Sequence, residues 1–192
     1  MAQQPRRVLI AEDETIIRLD LRSQLEELGY VVCGEARNGD EAVELARALG
    51  PDVAILDVKM PGIDGVEAAR RILAEASIPI LLLTAYSDAA LVGRAAAAGV
   101  FAYLVKPFQV SELIPAIETA VARHAELSEL RDEATGLAEA LAARKSIERA
   151  KGLLMQREGL SEDDAFARLR LASQRNGQPM KVIADAIVAA LT

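Results

Sequence analysis

Three consecutive carboxylates, Glu12, Asp13 and Glu14, follow the short apolar run in "RVLIAEDE" at residues 7–14. Carboxylates this close raise the cost of ionising one another unless a cation or a solvated turn relieves the repulsion. The cluster is therefore either an acidic turn or part of a cation site. Three more polar residues each close an apolar run: Asp57 ends "VAILD", Thr84 ends "PILLLT" and Lys106 ends "AYLVK". An acid, a hydroxyl and an amine so placed share one site when the runs are neighbouring strands that point the same way.

The elements around them fit that arrangement. Up to about residue 120, short apolar runs alternate with segments of helical period, the pattern of βα units around a parallel sheet buried on both faces. Strands are expected at 8–11, 31–36, 53–57, 79–84 and 102–106, with helices near 15–28, 40–49, 64–75, 87–98 and from 111 onward. Gly29, Gly50 and Gly99 stand where helices should end, and Ser111 is the expected N-cap of the fifth helix. The fold class is α/β, a doubly wound five-stranded parallel sheet. Ligands of such sheets bind beyond the carboxyl ends of the strands, beside the switch in strand order. Glu12, Asp13, Asp57, Thr84 and Lys106 all fall at that rim. Two acids beside a third supply the few carboxylate oxygens that Mg²⁺ takes while keeping several waters. Glu14 is assigned to the first turn of the helix that follows.

From 111 the helical period continues through "ELIPAIETAVARHAELSELRDEATGLAEALAARKSIERAKGLLMQ". Leu113, Ile117, Ala120 or Val121, His124, Leu127 and then Leu130, Leu137 and Leu141 recur at intervals of three, four or seven residues, as in a helix that pairs with another. Pro115 is placed in the first turn, and Gly136 marks a point of bending. After Gly159, Ser161 caps a helix with Asp163 and Asp164 in its first turn. Asn176 and Gly177 close it, and Pro179 precedes a last helix. The tail is a small all-α unit of three helices, with Met155 and Phe166 assigned to its core. Expected boundaries are a disordered segment at 1–6, an α/β domain at 7–120, a helical linker at 121–136 and the helical unit at 137–192.

Composition narrows the function classes. The chain is 52% apolar, and no apolar run approaches the ~20 residues that span a bilayer. "MAQQPRR" leads into a strand rather than a signal-peptide core, so a soluble, cytoplasmic protein is expected, without a membrane partner. Cys33 is the sole cysteine, which excludes an internal disulfide and a cysteine zinc cluster, and it is read as core filler. The net charge of −7 is uneven: residues 1–120 hold 11 cations against 18 anions, whereas 144–181 hold nine cations against five anions. The two parts should therefore have different partners.

Taken together, "IAEDE", "AILDVKMPGIDG", "LLLTAY" and "YLVKPF" resemble the response-regulator receiver domain over residues 7 to about 120. The resemblance implies a flavodoxin-like fold and a set of roles. Asp57 would be the phosphoacceptor for a sensor histidine kinase, and Glu12, Asp13, Asp57 and the backbone carbonyl of Lys59 would hold Mg²⁺. Thr84 and Lys106 would bind the phosphoryl oxygens, Tyr103 would report the switch state by its rotamer, and Pro107 would follow a cis peptide bond. Lys59 carries a long cation two residues after Asp57, and Tyr86 lies two after Thr84. Both are expected to restrict in-line water.

The tail, "RKSIERAKGLLMQREGLSEDDAFARLRLAS" followed by "VIADAIV", resembles the ANTAR output domain of transcription antitermination regulators. That resemblance implies binding to paired RNA stem-loops, and a chain that acts as a two-component antiterminator. The residues expected at RNA are Lys145, Arg149, Lys151, Gly152, Arg157, Arg170 and Arg175. Gly152, unfavourable inside a helix, is expected to admit a close approach by a backbone or another helix. Residues 111–158 offer a phosphorylation-dependent homodimer contact. Ser173 departs from the family's usual Met. A DNA-binding output and a purely dimerising output are the competing classes, and a steep salt dependence separates nucleic-acid binding from a coiled-coil contact.

Overall fold

In a computed structural model, which describes residues 5–85, 89–100 and 102–191, the chain forms two compact units, residues 1–129 and 130–192. The first holds strands β1 (Arg7–Ala11), β2 (Val31–Ala36), β3 (Val53–Asp57), β4 (Ile80–Thr84) and β5 (Ala102–Val105). Between them lie helices α1 (Thr15–Glu27), α2 (Gly39–Leu49), α3 (Gly65–Glu75) and α4 (Ala89–Ala97). All strand pairs are parallel, in the order β2-β1-β3-β4-β5. The order reverses at β1, so the crevice between the carboxyl ends of β1 and β3 is the switch point.

Alternation along each strand builds two cores. Leu9, Ala11, Ala54, Leu56 and Leu82 face one side with Ala42 and Ala46 of α2 and Val66, Ala69 and Ile72 of α3. Val8, Ile10, Val53, Ile55, Leu81 and Leu83 face the other with Leu21 and Leu25 of α1. Leu113, Ile117 and Ala120 also enter this second core, from helix α5 (Val110–Glu158). With both faces covered, the central strands read as continuous apolar runs. The polar residues that end them are thereby confined to the rim.

The punctuation is as expected at Gly29, Gly50 and Gly99, which take φ of +88°, +54° and +87°. Two other expectations are corrected. Helix α5 begins at Val110, so Ser111 lies inside it. The reciprocal cap is instead made by Glu112, whose carboxylate accepts the Gln109 N–H at 2.7 Å. Because the helix starts at Val110, two residues before the start that an N-cap at Ser111 implies, Pro115 falls in its second turn, where its missing N–H frees a carbonyl of the first turn. Of the segment expected to be disordered, residues 1–4 lie outside the described residues. Arg6 is anchored, its carbonyl accepting Val31 N–H at 2.9 Å and its guanidinium pairing with Glu118.

In the second unit the C-terminal part of α5 packs with α6 (Glu162–Asn176) and α7 (Met180–Leu191) around Ala150, Leu154, Ala165, Leu169 and Ala184. Ser161 caps α6 by accepting the Asp164 N–H, and Gly177 ends it at φ +62°. Helix α5 is continuous through Gly136. None of the described helices is long and apolar enough to cross a membrane.

Gly65 opens α3 directly beneath the end of β3. A Cβ there would lie 2.0 Å from the Asp57 carbonyl oxygen, and the Gly65 N–H donates to Val58 O at 3.0 Å. Gly65→Ala should therefore cost roughly 1–3 kcal/mol through overpacking and displace Asp57. Denaturant unfolding checks this, with Gly136→Ala as a control because nothing lies within 4 Å of a Cβ at that position.

Candidate functional site

The rim of the sheet gathers the acids. Glu12 and Asp13 leave β1, Asp57 closes β3, and one carboxylate oxygen of each lies within 4.8 Å of the others. Glu12 is fully buried and Asp57 nearly so, while Asp13 is exposed. Glu14 is the N-cap residue of α1, its N–H donating to Glu12 Oε1 at 3.3 Å, and it lines the cavity over the cluster without joining the three clustered acids. Lys106 reaches in from the end of β5, placing Nζ 2.5 Å from Glu12 Oε2 and 3.1 Å from Asp57 Oδ1. A residue ninety-four positions away in sequence thus supplies the charge that makes the buried acids tolerable. Thr84 is buried at the end of β4, its carbonyl accepting Lys106 N–H at 2.7 Å. The Lys106–Pro107 peptide is cis. Tyr103, on edge strand β5, is largely exposed and lines a groove of about 410 Å³ beside α5. A cavity of about 250 Å³ opens over the cluster, with Asp13, Asp57, Lys59 and Lys106 in its walls. Lys59 stands at the mouth, and Tyr86 lies outside the described residues.

Sequence reasoning missed Arg18. This arginine is buried one turn into α1, where it donates to the Glu12 carbonyl at 2.7 Å and pairs with Glu35 at 3.4 Å. Glu12 N–H donates to Ala36 O at 3.1 Å, so both backbone groups of the buried Glu12 are held. In sequence Arg18 looks like any exposed cation of an amphipathic helix. Only its six-residue spacing from Glu12 could have hinted at the return contact.

Burial pushes the carboxyls of both Glu12 and Asp57 above the usual carboxylate range, with the hydrogen bond and charge of Lys106 pulling the other way. Burial opposes the charge on Lys106, but its bond to Glu12 and the pull of Asp57 outweigh this and raise its pKa. An all-oxygen set of three carboxylates in a part-dry crevice suits a small hard cation such as Mg²⁺, which would keep both buried acids ionised.

In the helical unit the seven expected RNA residues do not stand alike. Lys145, Arg149 and Gly152 share one exposed stripe of α5, and Arg170 and Arg175 are exposed on α6. None of these four cations has an ion pair among the described residues. Lys151 stands apart: it is only 8% exposed, and Nζ is held by Glu148 at 3.0 Å and Glu162 at 2.6 Å, so it ties α5 to α6. Arg157 is likewise engaged, donating to the Leu191 carbonyl at 2.7 Å. The close approach expected at Gly152 is absent among the described residues, since nothing lies within 4 Å of a Cβ built there. Met155 and Phe166 are not core. They are 39% and 43% exposed, because Ala150, Leu154, Ala165 and Leu169 take the inner positions. Ser173 donates to Gln178 O at 2.6 Å, giving the departing residue a place in the turn after α6.

The family model described as "Response regulator receiver domain" matches residues 8–118, and that described as "ANTAR domain" matches 135–188. The chain belongs to the response regulators with an ANTAR output. The transcriptional regulatory protein PdtaR of Mycobacterium tuberculosis is 51% identical over 97% of this chain and 91% of its own length. Chemotaxis protein CheY of Thermotoga maritima is 37% identical over 58% of this chain and 94% of its own length, the receiver alone. Among solved structures, the signal receiver domain of a modulated diguanylate cyclase from Desulfovibrio desulfuricans matches with 40% identity and a TM-score of 0.59. The match covers 63% of this response regulator and 97% of that chain. This response regulator is thus a regulatory protein, of PdtaR type over nearly its full length.

Its pH response follows from the buried acids. With Glu12 and Asp57 raised, these two groups bind more protons in the folded receiver than in the unfolded chain. That contribution to stability is complete below the ordinary carboxylate pKa and is lost as pH rises through the raised values. Mg²⁺ should reverse the trend by favouring the ionised pair. Thermal unfolding from about pH 4 to 7, with and without Mg²⁺, should give profiles that diverge as pH rises. Parallel profiles would contradict the assignment.

Proposed function

We propose that this protein is a phosphorylation-gated RNA regulator: Asp57 accepts a phosphoryl group from a sensor histidine kinase, and the tail then binds paired stem-loops to promote transcription antitermination. The supporting observation is the convergence of Glu12, Asp13, Asp57 and Lys106 at the switch point. The proposed boundaries are a receiver at 7–120, a helical linker at 121–136 and the output unit at 137–192.

In this reading the Asp57 carboxylate attacks the phosphorus of a phosphohistidine. A carboxylate O–P bond forms, the N–P bond breaks, and its electron pair returns to the imidazole. Glu12, Asp13, Asp57 and the Lys59 carbonyl would hold Mg²⁺, which would supply charge neutralisation for the transferring group. Lys106, already against Asp57, pairs with one phosphoryl oxygen, and the Thr84 hydroxyl donates to another. Lys59 at the cavity mouth crowds the in-line path of water, so Lys59→Asn should speed dephosphorylation. Repositioning of Thr84 and Tyr103 shifts the population toward a state in which residues 111–158 pair two copies, presenting two tails to two stem-loops.

Exposed Lys145, Arg149, Arg170 and Arg175 provide the phosphate contacts that RNA binding requires. Titration of the full chain with a tandem stem-loop RNA, its single-loop fragments and duplex DNA tests the reading. Tandem loops should be preferred, the preference should strengthen with beryllofluoride and Mg²⁺, and Asp57→Ala should abolish that gain. Equal weak binding to every nucleic acid would favour a protein-interaction output instead.

A further inference from the structure

Phe166 is the sole aromatic residue after Phe108, in a unit whose core rests on three alanines and two leucines. Burial of a benzyl side chain would add more apolar area than any residue now inside that core. The fold nevertheless leaves Phe166 on the surface, 43% exposed, and gives the inner positions of α6 to Ala165 and Leu169.

Its neighbours along the helix give the exposed ring a chemical setting. Residues four apart share a face, so Glu162, Phe166 and Arg170 form one stripe of α6. At one end the Glu162 carboxylate is bonded to Lys151 Nζ at 2.6 Å, which offsets its charge. At the other end Arg170 is exposed and has no ion pair among the described residues. The surface therefore offers a π-face, with a guanidinium one turn away that has no ion pair among the described residues.

We propose that Phe166 is the stacking platform for an unpaired base of the bound RNA, with Arg170 holding a phosphate of the same loop. The proposal rests on the RNA-binding reading of the tail and names the contact by which that tail reaches a base. A ring beside an unpaired cation matches a nucleotide, which presents a flat base and a phosphate a few ångströms apart. An apolar protein partner would fit the ring and leave Arg170 unused.

The test uses the full chain with beryllofluoride and Mg²⁺, and a tandem stem-loop RNA selected on the wild-type protein from a pool with randomised loops. Phe166→Ala should weaken binding about 5- to 100-fold while leaving the slope of affinity against salt unchanged, because stacking releases no counterions. Arg170→Ala should reduce that slope by about one. Phe166→Tyr should bind within about twofold of wild type, as the π-face is kept. With 2-aminopurine placed at each loop position in turn, one position should be quenched by the wild type and not by Phe166→Ala. Phe166→Leu guards against a fold defect: with a native melting temperature it should bind as weakly as the alanine variant. Wild-type affinity in the leucine variant would overturn the proposal and make the patch an ordinary apolar docking face. If the wild-type chain selects no RNA from the pool, the RNA reading of the tail fails, and the stacking proposal fails with it.

Discussion

A buried charge cluster constrains the receiver more than any other feature. Glu12, with no exposed surface, and the nearly buried Asp57 face each other across a crevice that burial makes hostile to both as anions. A single ammonium, Lys106 at 2.5 and 3.1 Å, makes their coexistence tolerable. A cluster of this kind resists removal of one partner, because each remaining charge would be stranded. It also leaves the two acids short of full compensation, and a divalent cation or a transferring phosphoryl group can exploit that shortfall.

The rest of the receiver keeps this crevice at one point. Five parallel strands deliver their carboxyl ends to the same rim, and two apolar cores hold the sheet between helices. Gly65 lets α3 start against the Asp57 carbonyl, and Arg18 takes up the Glu12 carbonyl. The Glu35 partner of Arg18 connects the crevice to the surface of α1 and β2, where Arg22 also meets Glu35 at 2.8 Å. Helix α5 contributes Leu113 and Ile117 to the receiver core, and Ala150 and Leu154 to the core of the helical unit.

Much of this was legible in the sequence. The strands read directly because double burial makes them unbroken apolar runs, and helix ends read from glycines that take positive φ. The site residues were visible as polar interruptions at strand ends. Arg18 was invisible because nothing local separates a buried arginine from an exposed one when its partners are a backbone carbonyl and an acid on another strand. The setting of Lys151 was hidden for the same reason: its count among the cations says nothing of Glu148 and Glu162 closing around it. Phe166 misled because hydrophobicity alone places a large aromatic inside, whereas the α6 register gives the inner face to Ala165 and Leu169. The start of α5 slipped by two residues from the cap expected at Ser111, since the cap there is the Glu112 carboxylate on the Gln109 N–H rather than a hydroxyl.

The most direct test of the account is to locate the acyl phosphate. After incubation with a small phosphodonor and Mg²⁺, borohydride reduction converts a phosphorylated aspartate to homoserine, which peptide mass spectrometry then places in the chain. The account predicts homoserine at position 57 alone, lost when Mg²⁺ is chelated. Homoserine at position 13, or labelling indifferent to Mg²⁺, would contradict it.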